Sequence, residues 1–205
     1  RPSLEVKCPK DCRACLDACP TGAIYEPLKL NPRRCIGFNA WWTQDGRPLV
    51  TSNIPHEIRE KMGTKVHGCD LCQEACPRNR EKLRAKLPEN AFLEEVARHF
   101  SLTGLLDMDA EFERKAVVPL LYTYMRDRRF FQRNAAVALG NSGDSEMVPY
   151  LAKALEDPEE LVRAHAAWAL GRLGGKEARH ALHAALQREN GGRASEEIRS
   201  ALESA

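Results

Sequence analysis

Through the second half of the chain, apolar residues fall at i, i+3 and i+4, the spacing of one helix face, and the pattern repeats. Ala135-Ala-Val-Ala-Leu-Gly140 returns as Ala166-Ala-Trp-Ala-Leu-Gly171, 31 residues later. Leu151-Ala-Lys-Ala-Leu155 returns as Leu182-His-Ala-Ala-Leu186 at the same interval, and one period back Leu120 and Tyr124 take the places of Leu151 and Leu155. Each unit reads as two short amphipathic helices, with small alanines on the second allowing close approach. Gly140, Gly143, Gly171 and Gly174 are expected to follow helix ends, where a left-handed residue stops the helix. Asp157-Pro158 reads as a helix start, with Pro near the first turn. A period of about 30 residues built from helix pairs predicts an α-solenoid of HEAT or armadillo type. One pair cannot bury its own apolar stripe, so three stack and the last acts as a cap. Gly191-Gly192 and the polar run Glu196–Ser204 suit that cap.

The first half lacks this period, and its signal is cysteine. All eight cysteines fall within the first 76 residues. One run is Cys8-Pro-Lys-Asp-Cys12-Arg-Ala-Cys15-Leu-Asp-Ala-Cys19-Pro20, and the other is Cys69-Asp-Leu-Cys72-Gln-Glu-Ala-Cys76-Pro77, with Cys35 between them. Bacterial two-cluster ferredoxins use C-x2-C-x2-C-x3-C-P, and the last Cys of each run serves the other cluster. The fit has two departures: three residues separate Cys8 from Cys12, and the second run borrows Cys35 as its first ligand. Crossing the fourth ligands puts one [4Fe–4S] cluster on Cys8, Cys12, Cys15 and Cys76. The second falls on Cys35, Cys69, Cys72 and Cys19. Two other uses compete. Four disulfides would suit a small secreted domain, but no secretory signal is present and a long cysteine-free helical region follows. Structural zinc would use paired CxxC units, usually without the Cys-Pro ending.

Mainly α architecture follows: a two-[4Fe–4S] ferredoxin-like domain over residues 1–88, linking helices over 89–110, and a short HEAT-type α-solenoid over 111–205. Net charge is +2, with the basic excess on residues 1–100, and neither favours nor excludes nucleic acid. The longest near-apolar run, Ala116–Met125, holds Pro119 and is about half a membrane span, so no membrane partner is expected. Thiolates that bind iron point to a reducing, cytoplasmic setting. The chain begins at Arg1 rather than Met, seven residues before the first ligand, as expected of a fragment or a processed product.

The chain resembles the epoxyqueuosine reductase family. The resemblance is carried by Cys12-Arg-Ala-Cys15-Leu-Asp-Ala-Cys19-Pro-Thr-Gly-Ala-Ile24, Arg33-Arg-Cys35-Ile36, Ile54-Pro-His-Glu-Ile-Arg59, Met62-Gly63, Gly68-Cys69-Asp-Leu-Cys72-Gln-Glu-Ala-Cys76-Pro77 and Asn79-Arg80. Asn134–Asp144 and Leu161–Leu170 are similar to the family's C-terminal repeats. The resemblance implies a cobalamin-dependent iron–sulfur enzyme of tRNA queuosine modification, the cluster ligation above, and a HEAT-like region that helps dock tRNA. It also implies an external electron donor and a cobalamin held by a domain absent from this chain, which makes the complete protein an oxidoreductase. Gly37, the longer Ala40–Arg47 segment and the extra residue after Cys8 depart from the family pattern. The rival reading is a stand-alone ferredoxin-like electron carrier whose repeats dock a protein partner.

No residue set reads as catalytic: there is no Gly-rich phosphate loop, Ser-His-Asp set or catalytic carboxylate pair. Trp41 and Trp42 read as a hydrophobic anchor or a cluster shield, and His67 as a local hydrogen-bonding group. His180 and His183 fit a solvated face. Two basic stretches are candidate phosphate contacts: Arg78, Arg80, Lys82, Arg84 and Lys86, and the run Arg126–Arg133. In the first, Arg78, Lys82 and Lys86 would share a helix face. In the second, a turn whose two Phe enter the core is the equal alternative.

Overall fold

The computed structural model describes residues 8–41, 53–86, 88–121 and 127–204. Segments that must present thiols every three or four residues have little sequence left for long amphipathic helices, and the described residues up to 86 form short elements. Helix α1 (Ala14–Asp17) is followed by a hairpin of β1 (Ile24–Glu26) and β2 (Lys29–Leu30), pairing Ile24 with Leu30 across an irregular register. Helix α2 (Ile36–Trp41) starts directly after Cys35, and α3 (His56–Arg59) runs into a 3₁₀ turn, Glu60–Met62. Helix α4 (Leu71–Glu74) packs on α1, and α5 (Arg80–Arg84) follows a 3₁₀ turn at Pro77–Asn79.

Three helices with side-chain caps come next. Asn90 caps α6 (Ala91–His99), Ser101 caps α7 (Leu102–Leu106) and Asp109 caps α8 (Ala110–Phe112), each accepting from a backbone N–H of the first turn. The chain passes through a π-helical turn, Glu113–Val117, into α9 (Val118–Leu120).

The repeats form two layers. Helices α10 (Arg128–Ser142), α12 (Glu160–Leu173) and α14 (Gly192–Ser204) stack side by side as the inner layer, with α11 (Val148–Ala154) and α13 (Lys176–Leu186) outside them. Leu151 and Leu182 are fully buried at equivalent positions, while Leu120 is half-buried. Gly140 and Gly171 do not end helices but lie within α10 and α12, where the next inner helix crosses. A Cβ on Gly140 would stand 2.8 Å from Ala169, and one on Gly171 would stand 2.8 Å from Ala201. Gly143 and Gly174 are the left-handed residues beyond the helix ends, at φ 69 and 66. Helix α12 begins at Glu160, two residues after Pro158.

The inner layer is more than a stack of alanines, because polar side chains on it reach back to the cysteine-bearing half. Glu197 of α14 takes two hydrogen bonds from the buried Arg59 guanidinium, at 2.9 and 3.2 Å, and Arg59 also donates to the Ile54 carbonyl and the Asn53 side chain. The guanidinium lies over the Trp168 ring at 5.6 Å. The third repeat is therefore no plain polar cap. His165 of α12 is fully buried, with Nδ1–H donating to the Leu161 carbonyl and Nε2 accepting from the Ile54 N–H. Burial first, then the charges of Arg59 and Arg133, hold this imidazole well below its ordinary pKa and keep it neutral. Asn141 donates to the carbonyls of Arg59 and Gly63.

Truncation tests the helix phase. Leu151→Ala should cost roughly 2–5 kcal/mol of unfolding free energy in a denaturant titration, because the site is fully enclosed between the layers. A loss within about 0.5 kcal/mol, the size of a surface change, would place the phase elsewhere.

Candidate metal centre

Helices α1 and α4 bring the two cysteine runs face to face. Cys8, Cys15, Cys19, Cys35, Cys69, Cys72 and Cys76 open onto one cavity of about 370 Å³, whose other walls include Ile24, Leu28, Leu30, Ile36 and Leu71. Cys12 lies beside it, half-buried, on the longer first loop. That loop takes up its extra residue at Asp11, which is left-handed at φ 61, and the Cys12 N–H closes the turn on the Pro9 carbonyl. All eight cysteines are free thiols, so the disulfide reading fails.

The electrostatics show which thiols are neighbours. Burial pushes the Cys69 thiol up, the Leu71 backbone N–H and Lys65 pull it partly back, and Cys35 and Cys19 add to the rise. Burial likewise raises Cys72, followed by the charge of Cys69 and then those of Cys35 and Cys19. Cys19, Cys35, Cys69 and Cys72 thus share one neighbourhood. Gly37 packs in the same place: a Cβ there would make ordinary contact with the Cys69 nitrogen at 3.6 Å and with Cys35 Sγ at 3.7 Å. Cys19 moves the opposite way. Burial alone would raise it, but the Thr21 side chain and the backbone N–H groups of Ile24, Ala23 and Thr21 outweigh that and favour the thiolate. The Ala23 N–H donates to Cys19 Sγ at 3.2 Å.

This donor set fits iron–sulfur chemistry. Soft thiolates in an apolar cavity, with a peptide N–H aimed at sulfur, are what a cluster needs. Among the described residues no three His, Cys, Asp or Glu side chains close on a point that would grip one metal ion.

The flanking residues divide differently from their sequence reading. Trp41 meets His67 edge-on at 4.3 Å and Phe131 at 5.5 Å, so His67 belongs to an aromatic cluster ahead of Cys69. Trp42 lies outside the described residues. The run ending at Arg133 is no phosphate-binding face over its described part, residues 127–133. Phe130 and Phe131 are core residues and Arg133 is fully buried. Arg129 is held by Asp127 and Glu159, and Arg128 by Gln132 and Asp157. Arg78, Arg80, Lys82, Arg84 and Lys86 are exposed, but only Arg80–Arg84 is helical, so no single helix face carries Arg78, Lys82 and Lys86. His180 and His183 are exposed. Asn39, buried on α2, escaped the sequence reading, and Arg133, read there as a surface cation, is buried with Asn134 on α10. The signal for the second pair was two polar residues just ahead of the Ala-rich stretch of a repeat helix.

The chain matches two family models, one described as "4Fe-4S double cluster binding domain" over residues 7–79 and one described as "HEAT repeats" over 118–203. It is 35% identical over 193 residues to the epoxyqueuosine reductase of Bacillus subtilis (strain 168), an overlap of 94% of this chain and 47% of that protein. It is 30% identical over 215 residues to a Geobacillus stearothermophilus protein named "Uncharacterized protein in gldA 3'region", covering 98% of this chain and 88% of the other. A crystal structure of epoxyqueuosine reductase with a tRNA-Tyr epoxyqueuosine-modified stem loop superposes with a TM-score of 0.78 at 32% identity, covering 95% of this chain and 49% of that one. The chain spans about half the length of the reductases it matches.

Thiol reactivity checks the described electrostatics. In metal-free protein, iodoacetamide should alkylate Cys19 faster than Cys69 or Cys72 at any pH below that of an ordinary thiol, since its thiolate is favoured and theirs are not. Thr21→Val should slow Cys19 alone, read peptide by peptide by mass spectrometry. Equal rates at all three would contradict the assignment of hydrogen bonds to Cys19.

Proposed function

This chain belongs to the epoxyqueuosine reductase family, and from that premise we propose that it is the iron–sulfur electron-transfer portion of a cobalamin-dependent reductase acting in tRNA queuosine modification. The observation that carries the reading is the single apolar cavity onto which seven cysteines open, within the residues that match a 4Fe-4S double cluster binding domain. The proposed ligand sets are Cys8, Cys12, Cys15 and Cys76 for one cluster, and Cys19, Cys35, Cys69 and Cys72 for the other. When bound, the clusters would supply one-electron storage, at a potential within the range of about −700 to +450 mV that iron–sulfur centres span.

The chain's own residues hold and shield that site. Thr21 and the Ala23 N–H stabilise the Cys19 thiolate, which lowers the cost of presenting a charged ligand in an apolar wall. Ile24, Leu28, Leu30, Ile36 and Leu71 give the cavity apolar walls. The corrinoid rests on the family resemblance. An external donor supplies the electrons. We place the protein in the cytoplasm, where thiols stay reduced. No helix among the described residues is long and apolar enough to cross a membrane. For tRNA, the exposed cations from Arg78 to Lys86 are the proposed contact, since the charges of 127–133 are engaged internally or buried.

Anaerobically prepared protein should contain about eight iron and eight sulfide per chain. Cys35→Ala should remove one cluster's absorption and electron paramagnetic resonance signal and leave the other. Bound zinc, or about four iron in the unaltered chain, would sink the assignment.

Binding of an anticodon stem-loop should weaken steeply with salt. Reversing charge at Arg80, Lys82 and Arg84 should flatten the log–log slope by about one unit for each phosphate no longer neutralised, with the cluster spectrum unchanged. No binding at low salt by protein that includes the family's remaining half would favour the electron-carrier reading instead.

A further inference from the structure

Arg133 and Asn134 lie in the second turn of the inner-layer helix α10, and both are directed at the segments that carry two cysteines. The Arg133 guanidinium donates from Nη2 to the carbonyls of Asn39 and Ala40, at 3.0 and 2.8 Å, and from Nε to Asn134 Oδ1 at 3.0 Å. Asn134 Nδ2 donates in turn to the carbonyls of Ala40 and Val66, at 3.0 and 2.8 Å. Ala40 lies in the last turn of the helix that follows Cys35, and Val66 lies three residues before Cys69. Asn39 carries the contact onward: its backbone N–H and its Nδ2 both donate to the Cys35 carbonyl, at 3.0 and 2.9 Å. A connected series of hydrogen bonds therefore runs from a fully buried cation in the solenoid to the peptide of one cysteine. It also ties that cysteine's helix to the loop of another. Asn39 is one helical turn from Cys35, about 5.4 Å along the axis.

We propose that Arg133, braced by Asn134, is a positioning residue for the cluster assigned to Cys19, Cys35, Cys69 and Cys72, and that its buried positive charge raises that cluster's reduction potential relative to the other. The inference rests on the functional reading above, since it needs that cluster to be present. The physical basis is charge. Reduction adds an electron, and a cation linked through Asn39 to the Cys35 peptide in a low-dielectric interior stabilises the reduced form. Solvent screens it little, because Arg133, Asn134 and Asn39 are all buried. The other charged groups acting on Arg133 are Arg59 and Asp127, and Asp127 is already engaged by Arg129. Burial lowers the guanidinium to about 9, so it remains charged at neutral pH. The surrounding carbonyls fit this role too, since they hold the planar fork in place without cancelling its charge.

The experiment is a redox titration of the anaerobically prepared chain, following each cluster by electron paramagnetic resonance. Arg133→Gln retains an amide donor and removes the charge. It should lower the potential of one cluster only, with a fall of about tenfold in its reduced-to-oxidised ratio at fixed ambient potential, or about 59 mV for one electron. Arg133→Lys should recover most of the shift, which a purely structural role would not predict. If Arg133→Gln does not retain both clusters, Asp127→Asn carries the test. It preserves the helix cap, removes the opposing carboxylate and should raise the same potential. Two clusters with potentials unmoved in the variant that retains them would overturn the inference alone. An unaltered chain that binds no cluster would overturn it together with the functional reading.

Discussion

A stretch of chain that wraps metal-binding thiols has to give up regular hydrogen bonding, and its backbone carbonyls must then find donors elsewhere. In this protein the donors come from the inner helices of the solenoid. Arg133, Asn134 and Asn141 on α10 donate to the carbonyls of Ala40, Val66, Arg59 and Gly63, while His165 on α12 accepts from the Ile54 N–H and Glu197 on α14 neutralises Arg59. Each is a polar side chain on a helix otherwise selected for small apolar residues. Any of them left alone would be a buried group without its partner, and for a buried ion pair that loss is about 3–5 kcal/mol. The solenoid is therefore the second half of the cysteine domain's hydrogen-bonding scheme.

The repeat geometry makes this possible. Asn134 and His165 are separated by one period, as are Asn141 and Arg172, so successive repeats set polar groups at the same height on the inner layer. Gly140 and Gly171 bring the three inner helices so close that they present a nearly continuous surface. Arg172 extends the second row toward Glu60 at 3.4 Å, though this pair is exposed and contributes little.

What the sequence revealed follows a physical division. Ligand spacing is set by short loops, so the cysteine runs could be read from local order, and helix pairs could be read from a period that apolar burial enforces. Gly140 and Gly143 looked alike because a glycine at a helix crossing and a glycine beyond a helix end differ only in what stands opposite. Arg133 looked like surface charge because its partners are backbone carbonyls more than 90 residues away, which have no side-chain identity to recognise. The same blindness hid Glu197 inside a polar run. Where the interaction was local or periodic the residues declared it, and where it joined an irregular backbone to a distant side chain they did not.

The pairing of Arg59 with Glu197 spans 138 residues of chain. During synthesis the cysteine-bearing half emerges first, and it carries a guanidinium that is buried only once the last inner helix is in place. Final closure of that half must wait until residue 197 has left the ribosome, a long-range contact of the kind that slows folding. The order of translation thus sets an order of folding, in which the Arg59 guanidinium has no Glu197 to neutralise it until the last inner helix is made.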